Sequence, residues 1–228
     1  MARWFYWKTP PLDGPLNMAW DEICLTIADQ RSFPVLRFYA WNSPATTFGY
    51  FQRFEAVRAQ SPSVELIRRP TGGGIVPHEN DWTYSVVIPP EHPWYRWRAP
   101  ESYRFLHSWI QRSFTRLDLS TSLCPAQFPE GIGSCFIGAE KDDLLYQGRK
   151  LAGAAQRRTR HGLLIQGSIQ PPPPDRERDD WELAMLETLK IDDTGVDWEV
   201  WSPTSELSEQ SKNLATTKYA DSTYNQRR

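Results

Sequence analysis

The segment Arg68-Arg69-Pro70-Thr71-Gly72-Gly73-Gly74-Ile75-Val76-Pro77-His78 constrains this chain more than any other. Three consecutive glycines give up side-chain packing and lose much backbone entropy on folding. Such a run belongs where φ must be positive or where backbone lies close against something. The apolar run Val64-Glu65-Leu66-Ile67 precedes it and the β-prone run Trp82 to Ile88 follows, so the glycines read as a loop joining two strands. Bare backbone N–H groups beside two guanidinium forks suit an anion, either phosphate or carboxylate. A tight turn with two surface arginines has the same composition. The two readings differ in one consequence. At a ligand-contacting loop, a Cβ on Gly73 or Gly74 obstructs binding before it harms the fold; at a turn, stability suffers first.

A second segment, Gln147-Gly148-Arg149-Lys150-Leu151-Ala152-Gly153-Ala154-Ala155-Gln156-Arg157-Arg158, sets one lysine among small residues. Gly153, Ala154 and Ala155 leave room for a ligand along the backbone. Lys150 is a point charge on a flexible stem, suited to reaching a ligand oxygen. A basic hairpin on a solvated surface fits the same residues.

The 228 residues suit one well-buried domain, and two would be cramped. Hydrophobic residues at 39% and charged residues at 24% match an ordinary soluble protein. No apolar run nears the ~20 residues of a membrane span. Residues Met1 to Lys8 lack the apolar core of a signal peptide, so a cytoplasmic location is expected. A net charge of -2 argues against a dedicated nucleic-acid binder. A non-enzymatic module that stacks single-stranded nucleic acid on tryptophans remains a remote alternative. Cys24, Cys124 and Cys135 are odd in number and lack metal-ligand spacing, so neither a disulfide framework nor a metal site is expected. The eleven tryptophans are expected mainly in the core.

Pro15 to Asp29, Glu101 to Leu117, Trp181 to Leu189 and Ser205 to Tyr219 read as helices. Strands are expected at Pro34 to Trp41, Thr46 to Tyr50, Val64 to Arg68, Trp82 to Ile88 and Leu163 to Ile169. Asp143 to Tyr146 and Arg149 to Ala152 bracket Gln147-Gly148 as a hairpin, and Cys124 to Cys135 reads as a loop. The pattern predicts an α+β fold with a mixed, mostly antiparallel sheet and flanking helices.

The segments together resemble the biotin/lipoate protein ligase family, in its lipoate-protein ligase A and cysteine-dependent octanoyltransferase branch. The resemblance rests on Arg68 to His78 followed by Asp81-Trp82-Thr83-Tyr84-Ser85, on Gly148 to Arg157, and on Gly167-Ser168-Ile169. It extends to Asn17-Met18-Ala19-Trp20-Asp21-Glu22, to Trp41 through Pro44 and Gly49 to Gln52, and to Leu214 to Tyr219, all in the family's order. It implies the fold shared by class II aminoacyl-tRNA synthetases and biotin ligases. It also implies a single catalytic domain over residues 1–228 with no accessory C-terminal domain.

The implied activity is attachment of an octanoyl or lipoyl group to one lysine of a lipoyl domain. The implied partners are lipoyl domains of 2-oxoacid dehydrogenases or the glycine cleavage H protein, with octanoyl-acyl carrier protein or free lipoate as donor. A transferase needs no cofactor; a ligase needs ATP and Mg²⁺. The pair Cys135-Phe136 looks like the transferases' nucleophile, and a buried structural cysteine is the other reading. Lys150 is expected at the acyl carbonyl, with Arg69, Thr71 and Gly72-Gly73-Gly74 around the acyl group's carboxyl end or an adenylate phosphate. His78 is expected to orient that loop or move a proton, and Asp81 to hold the loop or meet the acceptor lysine. Three residues depart from the family pattern. Pro77 stiffens the loop, Gln166 replaces a frequent histidine, and Gly74 is more usual in the ligases.

Overall fold

A computed structural model describes residues 2–62, 65–126, 138–192 and 195–227. The strands are β1 Ala2–Lys8, β2 Val35–Tyr39, β3 Ala45–Phe48, β4 Leu66–Arg68, β5 Val76–His78, β6 Trp82–Ile88, β7 Ser122–Leu123, β8 Leu144–Tyr146, β9 Arg149–Thr159, β10 Gly162–Ile169 and β11 Val196–Val200. The α-helices are α1 Gly14–Arg31, α2 Phe54–Gln60, α3 Ala99–Arg116, α4 Arg178–Asp192, α5 Ser205–Leu214 and α6 Ser222–Gln226. Eight strands form one sheet in the order β11-β1-β2-β6-β10-β9-β8-β7. In it β1 pairs parallel with β11 and β2, and the remaining pairs are antiparallel. A smaller sheet, β4-β3-β5, stands apart. The expected α+β class and mostly antiparallel pairing hold. Among the described residues no helix is long and apolar enough to cross a membrane.

Helices cover both faces of the large sheet, so its central strands are buried on both sides. In β6, Trp82, Tyr84, Val86 and Ile88 join one core with Leu106, Trp109, Ile110 and Phe114 of α3 and Trp181, Met185 and Leu189 of α4. The alternate residue Val87 joins Val35, Leu164 and α1's Trp20, Ile23, Cys24 and Ile27 on the other face. This is the two-residue alternation of an extended strand. Trp4, Trp109 and Trp181 are among the largest fully buried side chains, as expected of the tryptophans.

α1 starts where Asp13 accepts the Leu16 N–H (2.7 Å), with Pro15 in the first turn. It then buries two polar residues, Asn17 and Asp21. Asp21 Oδ1 accepts from Arg37 Nη1 at 2.8 Å and from Ser85 Oγ at 2.7 Å. Its Oδ2 accepts from Gln166 Nε2 at 2.6 Å and from the Tyr39 hydroxyl at 3.1 Å. Arg37 Nη2 also reaches Asn17 Oδ1 at 2.7 Å. Losing one partner of such a buried ion pair strands the other charge, at roughly 3–5 kcal/mol.

The glycine loop does not run from β4 straight to β6; it joins two strands of the small sheet, β4 and β5, which flank β3. The chain crosses to the large sheet only at β6. The loop thus belongs to the small sheet, and the pocket lies between it and strands β9 and β10 of the large one.

Candidate active site

A cavity of about 330 Å³ opens between the glycine loop and strands β9 and β10. Arg69, Gly73, Gly74, His78, Lys150, Gly153, Ala154 and Ala155 all line it, so the two sequence segments do meet. Met18, Tyr39 and Thr83 line its buried end, while Lys150 and Gly74 stand nearer solvent. Cys135 lies outside the described residues.

The paired arginines were expected at an anion, and the structure turns them to backbone. Arg68 is fully buried and donates to the carbonyls of Tyr50, Gln52, Asn225 and Arg227 at 2.8–3.2 Å. Its own N–H donates to Asn225 Oδ1 at 2.7 Å. It clamps the 225–227 segment to the strand that leads into the loop. Arg69 donates to the Gly72 carbonyl (2.7 and 3.1 Å), the Gly74 carbonyl (2.7 Å) and Thr47 Oγ1 (3.2 Å). Burial pulls its pKa down to about 10, which leaves it charged at neutral pH. Arg69 therefore shapes the loop from within, satisfying carbonyls that three glycines leave bare.

Only one of the three glycines is dictated by backbone geometry. Gly73 has φ +83°, and a Cβ there falls 2.8 Å from Arg69 Nη2. A Cβ on Gly72 or Gly74 meets nothing within 4 Å. The expectation of an unharmed fold thus fails for Gly73, whereas the fold leaves open space for a Cβ on Gly74. Gly73→Val is expected to lower the melting temperature by roughly 5 °C or more, from left-handed strain. Gly74→Val is expected to leave melting within about 2 °C and to weaken binding of an acyl substrate. Melting and binding measured on both variants check this; equal melting losses would refute it. Gly49 completes the loop's seat, since a Cβ there would lie 2.0 Å from the Gly73 carbonyl oxygen.

Thr71 does not face the pocket. Its hydroxyl donates to Gln166 Oε1 at 2.7 Å, and Gln166 in turn holds Asp21. This links the loop to the buried α1 network. Gln166 lines the pocket, so the residue that departs from the family's histidine has a polar linking role of its own.

His78 is held at both ring nitrogens. Nδ1 meets Asp81 Oδ2 at 2.9 Å, and Nε2 meets Thr47 Oγ1 at 2.9 Å. The Asp81 carboxylate oxygen accepts, so Nδ1 faces it as an N–H donor. The ring stacks on Trp41 with centroids 4.0 Å apart. Trp41 Nε1 donates to Thr83 Oγ1, which donates to Asp81 Oδ2. Asp81 therefore holds the loop, one of its two expected roles.

At the other wall, Lys150 Nζ lies 2.7 Å from Asp143 Oδ2. Asp143 is fully buried and also accepts from the Glu140 N–H (2.7 Å) and the Tyr103 hydroxyl. Burial and then the Asp143 carboxylate push the Tyr103 phenol upward, so it stays a donor. The hairpin turn delivers Lys150, with Gln147 (φ 50°) and Gly148 (φ 75°) both left-handed as a type I′ turn requires. Gly153 leaves room for Lys150 itself, because a Cβ there would fall 2.7 Å from Lys150 Cε. Ala154 and Ala155 remain as the small wall. Asp143 and Tyr103 were not legible as site residues; an acid seven positions before the lysine was the available signal for Asp143.

Behind this pair, the His107 ring packs on Tyr103 with centroids 4.3 Å apart. Burial pulls its pKa down to about 4; Asp143 opposes the shift and Lys150 adds to it. The unfolded chain binds this proton near pH 6.5 and the fold does not. Stability from this group is therefore full above about pH 6.5 and is lost as pH falls toward 4, by about 3 kcal/mol in all. Denaturant titrations at pH 7 and pH 4 should show that loss shrinking by a similar amount in His107→Leu. An unchanged pH dependence would exclude His107 as its source.

The Lipoyl protein ligase A/B catalytic domain family matches residues 13–170. Octanoyltransferase LipM of Staphylococcus aureus (strain NCTC 8325 / PS 47) is 33% identical over 179 residues, covering 73% of this chain and 65% of that one. Octanoyltransferase LipM of Bacillus subtilis (strain 168) is 35% identical over 168 residues, covering 67% and 60%. The chain thus spans under two thirds of the length of these curated relatives. A crystal structure of lipoate-protein ligase A bound with ATP aligns with TM-score 0.77 at 20% identity, covering 99% of each chain. A bi-partite lipoate protein ligase from Thermoplasma acidophilum aligns with TM-score 0.74 at 19% identity, covering 99% of this chain and 96% of that one. At such identities these two share the fold. The glycine loop, the Lys150 hairpin and the α1 network all lie inside the matched span, and the chain belongs to the lipoyl protein ligase A/B catalytic domain family.

Proposed function

We propose that this chain transfers an octanoyl group, through a thioester on Cys135, to a lysine amine of a lipoyl domain. The observation that carries the reading is an ammonium, Lys150, fixed by a buried carboxylate at the wall of a narrow pocket. At about 330 Å³ the cavity is at the small end of ligand pockets, roughly 300–1,000 Å³, which suits a slender acyl chain. Met18, Trp41, Ile75 and Val76 give it apolar surface. Gly138 also lines it, and Cys135 is three residues earlier, a stretch of at most about 11 Å of chain. Kinship with octanoyltransferases supports the choice of acyl group.

The Cys135 thiolate adds to the carbonyl of a donor thioester. The tetrahedral oxyanion collapses, and the donor's thiolate leaves and takes up a proton. The neutral acceptor amine then adds to the acyl-cysteine, gives up its proton and displaces the Cys135 thiolate, leaving the amide. Lys150 supplies positive charge to the oxyanion of both intermediates. Asp143 and Tyr103 hold the ammonium in place, so little reorganisation accompanies the reaction.

The test is to incubate the protein with octanoyl-acyl carrier protein, without ATP, and weigh it intact. The expected result is one added octanoyl mass that hydroxylamine removes. The ATP-dependent ligase is the rival, and Gly74 favours it. A protein that stays unmodified and becomes active only with ATP, Mg²⁺ and free lipoate would overturn the transferase reading.

A further inference from the structure

A second groove, of about 550 Å³, adjoins the glycine loop near the 217–227 segment. Arg157, one of its walls, donates to the Pro70 carbonyl at 3.2 Å. Tyr50, another, donates its backbone N–H to the Thr71 carbonyl at 2.8 Å. Two guanidiniums address the one Tyr50 ring. Arg157 Cζ lies 4.6 Å from its centroid and Arg227 Cζ 4.2 Å. Arg227 also lies 4.3 Å from the Tyr224 ring.

These charges meet aromatic rings rather than paired carboxylates. Among the described residues neither arginine forms an ion pair, whereas Lys218 beside them is neutralised by Glu22 at 2.5 Å. Arg227 Nε and Nη2 and the Tyr224 hydroxyl are buried without a hydrogen-bond partner. Asp221 also lines the groove, but its Oδ1 caps the Thr223 N–H at 2.9 Å. Two like charges gathered at one ring repel, and buried donors without acceptors cost free energy. An anion seated between the forks relieves both. A carboxylate presents two oxygens and satisfies one fork, whereas a phosphate presents three and can bridge two.

We propose that this groove binds the phosphate group of an organic phosphate, held between Arg157 and Arg227 beside Tyr50. A nucleotide and the arm of a pantetheine-bearing carrier both offer that group. The site goes beyond the transferase reading and is measured by binding alone, so its failure leaves that reading standing.

The test is calorimetric titration of the full chain with inorganic pyrophosphate, ATP and 4′-phosphopantetheine at low salt. Binding on the order of 0.1 mM is expected, weakened about tenfold or more by Arg227→Gln and by Arg157→Gln. Arg227→Gln retains the backbone carbonyl that Arg68 uses, so its melting temperature should match the parent. Equal binding of the three probes assigns the site to phosphate itself. Tighter ATP assigns it to a nucleotide, and tighter phosphopantetheine to a carrier arm. Absence of binding by every probe, or binding that both variants leave unchanged, overturns the proposal.

Discussion

Cys135→Ala is expected to abolish both the octanoyl adduct and transfer to a lipoyl domain, while Cys24→Ala and Cys124→Ala leave them intact. The contrast follows from where the other two thiols sit. Cys24 is fully buried against the sheet, and burial pushes its pKa up to about 12. Almost none of it is thiolate at neutral pH, and the thiolate is the nucleophile. Cys124 is also fully buried and directs its S–H at the Ala126 carbonyl, 2.8 Å away. Neither lines the acyl pocket. Intact mass and a transfer assay on the three variants decide the matter. A Cys135→Ala protein that keeps its adduct would remove Cys135 from the mechanism.

Lys150→Ala is expected to lower kcat by about a hundredfold or more, as loss of an oxyanion donor does. The ion pair with Asp143 adds a second effect, on stability. Without Lys150, the fully buried Asp143 carboxylate keeps Tyr103 and the Glu140 N–H but loses its cation. A stability loss of roughly 3 kcal/mol should accompany the loss of turnover. The double variant Lys150→Ala/Asp143→Asn removes the stranded charge, so it should regain most of that stability and none of the rate. Denaturant melts beside steady-state kinetics separate the two effects. Near-normal turnover in Lys150→Ala would sink the catalytic role, and full recovery of rate in the double variant would make that role structural.

The parts legible in the sequence are those fixed by local chemistry. Alternation and β-branched residues gave β6 at Trp82–Ile88, and Gln147-Gly148 gave the hairpin that carries Lys150. Strands β1 and β11 went unread because their pairing joins residues nearly two hundred positions apart. β5 was hidden by Pro77, which a strand accepts at an edge, where β5 lies. The buried role of Asp21 was not legible because its cation, Arg37, belongs to a different element. The two arginines suggested an anion because sequence does not show which carbonyls a guanidinium will meet. At Arg68 and Arg69 those carbonyls come from the glycine loop, from Tyr50 and Gln52, and from Asn225 and Arg227.

The Arg68 clamp also sets an order of events during synthesis. The large sheet can start to assemble once β10 has emerged, since β2, β6, β9 and β10 all precede residue 170. The Arg68 guanidinium finds the Tyr50 and Gln52 carbonyls early, but the rest of its partners, on Asn225 and Arg227, are made 157 and 159 residues later. A nascent chain on the ribosome would thus carry a folded scaffold whose glycine loop is held by Arg69, Gln166 and Arg157 but lacks its last clamp.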